Sequence, residues 1–341
     1  MLSNIKYRFS GGKIILLVLL LTTLIYPQWN DVVTTTISES NLVYLENFAN
    51  KDGIHVVIQR SASSNSILYY RLNSSGTVLT STVIESGGGA GFPNISGSNN
   101  ALYISYRYGS NLVTKKYNYS TGNWDAQQTI NIGSSTFNGL DNIYDNERGL
   151  HFVYSVDGST HYYRYPTNSP NYTDLQEVSD QADVEGLYPT VTLSSNNVHV
   201  SYHDWYSAKT RDKNLSNNNW ENTQEPHSSS NLSAVHSGSD KLFSFSLLVV
   251  DEMHYVQLWV NERDLGSISW AGSVLLGYSV GGFPDGPVAT LTNTIDSRTH
   301  ILYFDIVDLV YRFYEESEGW SDEENFYNDY INDYDISSSS K

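Results

Sequence analysis

One strand-like segment returns down this chain at intervals of about 48 residues, and that period limits the possible folds more than any other feature. Its clearest copies are Ile54-His-Val-Val-Ile-Gln-Arg60, Ala101-Leu-Tyr-Ile-Ser-Tyr-Arg107, Leu150-His-Phe-Val-Tyr154 and Val198-His-Val-Ser-Tyr202. Looser copies stand at Leu242-Phe-Ser-Phe-Ser246 and His300-Ile-Leu-Tyr-Phe304. Around each lie three further segments in which β-branched or aromatic residues alternate with polar ones, the pattern of a half-buried strand. A first strand such as Tyr188-Pro-Thr-Val-Thr-Leu193 precedes the marker. A third, rich in Tyr and Arg, follows it, as in Ile67-Leu-Tyr-Tyr-Arg71 and His161-Tyr-Tyr-Arg164. After a polar turn comes a fourth strand that often opens on tryptophan, at Trp124, Trp220, Trp270 and Trp320.

Repeats of this length built only of strands cannot bury both faces alone, so they stack around a common axis. The expected fold is all-β, a six-bladed β-propeller of four-stranded antiparallel blades, with seven blades as the alternative. The alternative arises because Trp29 fits the tryptophan series, so that Trp29 to Ser40 reads as a fourth strand without a blade of its own. The last repeat already owns a fourth strand at Trp320 to Tyr327.

Residues 1–28 read as an export signal. Lys6, Arg8 and Lys13 precede an apolar run from Ile14 to Tyr26 that is shorter than the roughly 20 residues of a spanning helix. Residues 29–327 then form one propeller domain, and residues 328–341 an acidic, serine-rich tail. The chain has 341 residues, no cysteine and a formal charge of −18. An exported chain without disulfides relies on a large core. So acidic a surface repels nucleic acid and anionic lipid, which excludes both as partners, and no membrane span is expected once the signal is removed. The expected product is secreted or held at the cell surface, a monomer, with a glycan or an extracellular protein as partner. No cofactor is expected, apart from calcium as an alternative at the acidic run Asp329-Tyr-Ile-Asn-Asp-Tyr-Asp335.

The turns Ser120-Thr-Gly-Asn-Trp124 and Ser317-Glu-Gly-Trp320, and the run ending in Trp220, resemble worn forms of the Asp-box, Ser-x-Asp-x-Gly-x-x-Trp. Asp-boxes lie between third and fourth strands in bacterial sialidases and related BNR-repeat propellers, and the chain is similar to that superfamily along nearly all its length. The resemblance implies the fold more than the activity. Catalytic sialidases carry an Arg-Ile-Pro motif, absent here, and no arginine stands between Arg8 and Arg60. The Asp-box aspartate is missing or displaced in every copy.

Function is therefore sought where the repeat varies. The marker strands end on Gln59 and Arg60, Tyr106 and Arg107, Ser155 and Asp157, His203 and Asp204, Asp251 and Glu252, and Asp305. Gln59, Arg107, Ser155 and His203 hold equivalent positions yet differ in charge, as a single asymmetric ligand site requires. The cluster His203-Asp204-Trp205-Tyr206 offers a histidine beside a carboxylate for acid–base work and aromatic faces for sugar rings. A structural role for Asp204 in closing the strand is the competing reading.

His203 and Asp204 are the catalytic candidates. Arg60, Arg107, His203, Trp205 and Tyr206 are the ligand-binding ones, with Arg211 a further candidate for contact with an acidic sugar. Arg71, Arg164 and Arg312 recur on third strands and read as structural. His199 and His203 lie four apart, too far along a strand to share a metal, so no metal site is expected. These residues point to a non-catalytic carbohydrate- or protein-binding module. A polysaccharide-active enzyme, hydrolase or lyase, with its site in the propeller funnel is the alternative, and a purely structural surface protein a third reading.

Overall fold

The computed structural model describes residues 2–10, 13–22, 28–37, 42–61, 65–87, 89–133, 136–166, 173–179, 187–204, 207–228, 232–249, 255–280, 289–292, 298–305, 308–327 and 334–338. Among the described residues there is no helix, and the strands form seven antiparallel sheets. The chain divides into two compact units, Met1–Ser134 with Tyr330–Lys341, and Ser135–Asp329.

In the first unit, Leu42–Asn50, Gly53–Ser61, Asn65–Leu72 and Val78–Ser86 form one sheet in chain order. The next sheet contains Gly91–Gly97, Leu102–Tyr108 and Asn111–Asn118, its fourth position shared by Asn123–Trp124 and Gln128–Asn131. In the second unit, Phe137–Asp145, Gly149–Val156, Ser159–Tyr165 and Thr173–Glu177 make the first sheet. Leu187–Leu193, Asn197–His203 and Ser207–Asn214 follow, with Asn219–Trp220 and Gln224–Ser228 in fourth place. The last two sheets begin at Leu232–Ser237 and at Ala289–Thr292. Within each unit the first strands of successive sheets lie against one another, Leu42–Asn50 on Gly91–Gly97 and Phe137–Asp145 on Leu187–Leu193.

The seventh sheet joins the chain ends. Its order is Gln28–Ile37, Lys13–Thr22, Leu2–Ser10, Tyr334–Ser338. Lys13–Thr22, within the segment read as an export signal, is an extended strand, in keeping with its β-branched Ile14, Ile15 and Val18. Gln28–Ile37 takes the outermost place, the fourth-strand position that Trp29 suggested. Residues 334–338, at the end of the acidic tail, pair with Leu2–Ser10. Asp308–Glu315 pairs with Thr299–Asp305 on one side and with Gly319–Trp320 and Glu324–Tyr327 on the other, so the last repeat keeps its own fourth strand.

Each marker strand is buried on both faces, which explains its near-continuous apolar run. Ile54, Val56 and Ile58 enter one cluster with Leu45, Leu68 and Tyr70. Val57, on the opposite face, joins Tyr69, Ile95, Leu102, Ile104 and Tyr106 of the next sheet. Complete burial of a valine or isoleucine contributes about 1.5–3 kcal/mol.

A polar relay crosses this core. In the first unit Tyr69 donates to His55 Nδ1 at 2.8 Å, and His55 Nε2 donates to Asn50 Oδ1 at 2.9 Å. Trp124 of the following sheet stands edge-on to Tyr69 at 5.2 Å. In the second unit His151 pairs with the Tyr162 hydroxyl at 2.7 Å, and Trp220 meets Tyr162 edge-on at 5.5 Å. His300 pairs likewise with Tyr311 at 2.6 Å. The turn tryptophans therefore lock one sheet to its predecessor.

Those turns are capped by asparagine. The Asn73 side chain accepts from the amides of Ser75 and Thr77, Asn118 from Ser120 and Thr121, and Asn214 from Ser216 and Asn217. An Asn closing the third strand thus orders the turn. The outer strand Val78–Ser86 differs from the split outer strands: it is unbroken, and residues 78–83 are all exposed.

Candidate functional site

The rim at the ends of the marker strands differs between the two units. In the first unit it is shaped by a bulge where the strand Gly91–Gly97 begins. Between Gly91 and Asn94 the pairing slips by one residue, and Phe92 takes the left-handed conformation with φ 52°. A bulky side chain before proline is steered away from that region, so the geometry costs on the order of 1–3 kcal/mol. Two contacts hold it. Phe92 N donates to Gln59 Oε1 at 2.9 Å, and the Phe92 ring rests on Tyr44 at 5.0 Å. Gly91 permits the first of these, since a Cβ there would meet the Gln59 amide at 3.2 Å. Pro93 needs no amide partner and fits the bulge.

Arg60 and Arg107 both reach this rim, with Gln59 preceding Arg60 and Gly91 paired to Arg107. Strand alternation sends them apart. Val57 and Gln59 face the following sheet, so Arg60 leaves on the other face; Tyr106 faces the preceding sheet, so Arg107 turns away from it. Each guanidinium is fixed by its own hairpin, Arg60 Nε on Ser66 Oγ at 3.2 Å and Arg107 Nε on the Gly109 carbonyl at 2.9 Å. The arginines therefore leave their sheets on opposite faces and do not form one carboxylate clamp.

In the second unit His203 and Asp204 are both buried, His203 to 4% of its full exposure. Asp204 Oδ1 accepts from the Ser207 amide at 2.8 Å and the Ser207 hydroxyl at 3.0 Å, while the Asp204 amide donates back to the Ser207 carbonyl. Lys209 Nζ lies 3.3 Å from Asp204 Oδ2 and 3.1 Å from Glu225. Burial alone would lower the Lys209 pKa, but Glu225 and Asp204 outweigh it and raise it. Asp204 is thus the clamp of its hairpin. Trp205 and Tyr206 lie outside the described residues, as do Asp251 and Glu252.

Ser155 is fully buried. Arg211 is spent on structure: its Nε donates to the Glu221 carbonyl at 2.8 Å and its Nη1 to the Val178 carbonyl at 2.7 Å, with Trp220 beneath it. This corrects its reading as a sugar contact. Arg312 makes the matching bond, to the Ser321 carbonyl at 2.8 Å, so its repeat partner is Arg211 and not Arg71 or Arg164. The residue opposite settles the phase: Arg211 pairs with Val200 and Arg312 with Ile301, whereas Arg71 and Arg164 pair with His55 and His151.

His199 is engaged by Ser194 and Asp212, each at 2.8 Å. Among the described residues no group of three or more acidic, histidine or cysteine side chains is arranged to hold a metal. Most of the acidic run from Asp329 lies outside the described residues.

A second bulge matches that of Phe92. Between Leu187 and Thr190 the pairing slips in the same way, Tyr188 has φ 48°, and Pro189 follows. Phe92-Pro93 and Tyr188-Pro189 stand at the same place in two first strands. The shared aromatic-proline pair at the start of a first strand was the signal.

No family model matches the sequence, and no curated protein matches it. Solved structures do resemble it in fold. One is a protein from Lactobacillus plantarum, with a TM-score of 0.61 at 8% identity, covering 98% of this chain and 97% of that one. A functionally unknown protein from Desulfotomaculum acetoxidans aligns over 100% of both chains with a TM-score of 0.55 and 11% identity. AofleA from Arthrobotrys oligospora gives 0.54 at 10% identity, covering 84% of this chain and 86% of that one. Likeness at such identity concerns fold alone. Together with the repeated four-stranded sheets, it supports a β-propeller architecture.

Proposed function

We propose that the chain is a secreted or surface-held, sialidase-like β-propeller that binds carbohydrate without cleaving it. In this reading each repeat is one four-stranded blade, and the sheet made by Gln28–Ile37, Lys13–Thr22, Leu2–Ser10 and Tyr334–Ser338 is a further blade, the seven-bladed alternative. The observation that carries the reading is Phe92, an aromatic residue held in a costly backbone conformation at the rim and backed by Tyr44. Strain of this kind persists where the surrounding structure imposes it, and it gathers at ligand sites. An aromatic face suits the apolar side of a pyranose ring, and the fixed guanidinium groups suit its hydroxyl or carboxylate substituents.

The enzyme alternative needs an accessible acid–base pair. Burial of His203 and the commitment of Asp204 to Ser207 weigh against it. The test is a glycan array probed with the full-length chain, the Phe92→Ala variant and the Arg107→Ala variant. Enrichment on a glycan class that weakens in both variants supports the reading, and absence of enrichment on every glycan overturns it.

A further inference from the structure

The bulge at Tyr188 repeats that at Phe92, but its surroundings differ in a way that bears on binding. Where Tyr44 lies against Phe92, the preceding sheet of the second unit offers Gly139. Tyr44 and Gly139 are equivalent by pairing, the first opposite Gln59 and the second opposite Ser155. Gly139 has φ 148°, and a Cβ on it would come within 3.2 Å of Pro189 Cδ and 3.4 Å of Tyr188 Cα. Backbone thus packs on backbone at this point, and no neighbouring ring covers Tyr188 from that position.

The segment is pinned from both sides. Val191 N donates to Asp141 Oδ2 of the preceding first strand at 2.8 Å, and Thr190 Oγ1 accepts from Val235 N of the following one at 3.0 Å. Tyr188 nevertheless keeps 49% of its full exposure, among the highest of the large apolar side chains at a first strand. A large aromatic in a left-handed conformation is a true outlier, and exposure removes packing as its reason.

We propose that Tyr188 is a second saccharide-binding position, in which the tyrosine ring stacks on the apolar face of a pyranose. The chain then carries two ring-stacking positions, one per compact unit, related by the repeat itself. Phe92 shares its ring with Tyr44, whereas Tyr188 presents its ring over a glycine floor. The inference rests on the glycan-binding reading but uses no residue of the Phe92 site.

The test is saturation-transfer-difference NMR on the full-length chain with methyl β-D-glucopyranoside, methyl β-D-galactopyranoside and methyl α-D-mannopyranoside as probes. The variants are Tyr188→Ala, Tyr188→Phe, Phe92→Ala and the double alanine. Loss of one stacking contact weakens binding at its own position by about three- to tenfold. The expected result is a probe signal reduced by about half in each single alanine variant, kept in Tyr188→Phe, and abolished in the double variant. A signal that depends on Phe92 and ignores Tyr188 overturns this inference and leaves the glycan-binding reading standing. No signal from any pyranoside overturns both. Because Tyr188 is half exposed, the alanine variant keeps its melting temperature, which separates lost stacking from lost structure.

Discussion

His199 Nδ1 donates to Asp212 Oδ1, the residue directly opposite it, at 2.8 Å, whereas His55, His151 and His300 each meet a tyrosine two residues before their direct partner. Thr210 holds the tyrosine position here, and Asp212, which takes over the histidine, has a partner in the next sheet, because Arg263 donates from Nη2 to Asp212 Oδ2. Arg263 is buried to 3% and lies over Trp270 at 4.9 Å. A buried charge pair contributes little relative to apolar packing, yet breaking it strands a charge. Asp212→Ala is therefore expected to cost about 3–5 kcal/mol in urea denaturation, and Asp212→Ala with Arg263→Leu to cost less than the single change.

The same pair sets an acid limit. Burial alone would raise the Asp212 pKa, but His199 and Arg263 outweigh it and hold the carboxyl below its ordinary value. A carboxylate lowered on folding stabilises above its unfolded pKa of about 3.9 and loses that contribution as pH falls through the folded value. The stability difference between the wild type and Asp212→Asn should begin to shrink below about pH 4 and vanish only once the pH has fallen below the lowered folded value.

Two histidines act over a different range. Burial, aided by the charge of Arg71, lowers His55 to about 3. Burial, aided by His300, lowers His236 to about 4. Both are neutral when folded and take up a proton near pH 6.5 when unfolded. The unfolded chain then binds more protons between the two values, so stability falls as pH drops from about 6.5 toward 4, by roughly 1.4 kcal/mol per pH unit for each histidine. Urea midpoints at pH 7 and pH 5 measure this, and His55→Gln should flatten the dependence.

Trp124 and Trp220 close their turns against the preceding sheet. Replacing either with alanine removes the edge-on contact with Tyr69 or Tyr162 and is expected to cost about 2–4 kcal/mol. Tyr69→Phe leaves His55 Nδ1 buried without its donor, at about 1–3 kcal/mol. Thermal unfolding of the three variants gives the comparison.

Asp204 offers a direct discrimination between clamp and catalyst. Asp204→Ala is expected to lower stability by about 1–2 kcal/mol through the lost Ser207 bonds and to leave the glycan profile intact. Hydrolysis of a polysaccharide by the wild type, lost in a well-folded Asp204→Ala, would restore the enzyme reading.

The repeat makes the sheets legible because side chains that face a core recur with strand period, and His55, His151, His199 and His300 fall in register in the sequence itself. Position on the rim was harder to read. Gln59 looked variable and therefore functional, and it proved to brace Phe92. Arg211 is a candidate sugar contact by sequence, but its guanidinium donates to the carbonyls of Glu221 and Val178, which lie 10 and 33 residues away. Distances of that kind leave no trace in spacing. Phe92 and Tyr188 escaped because positive φ is usually sought at glycine, and neither residue type announces it.

The unbroken outer strand Val78–Ser86 has a consequence for handling the protein. From Val78 to Ile84 it carries neither charge nor proline, and Val83 is 58% exposed. Such an edge is a template on which a second chain can add a strand; it is bulged at Leu79 and Ile84, but Thr80 to Val83 between the bulges pair in regular register and carry no charge. Concentrated solutions are expected to aggregate through this seam before the fold itself fails. Val83→Lys should raise the soluble concentration limit without moving the melting temperature.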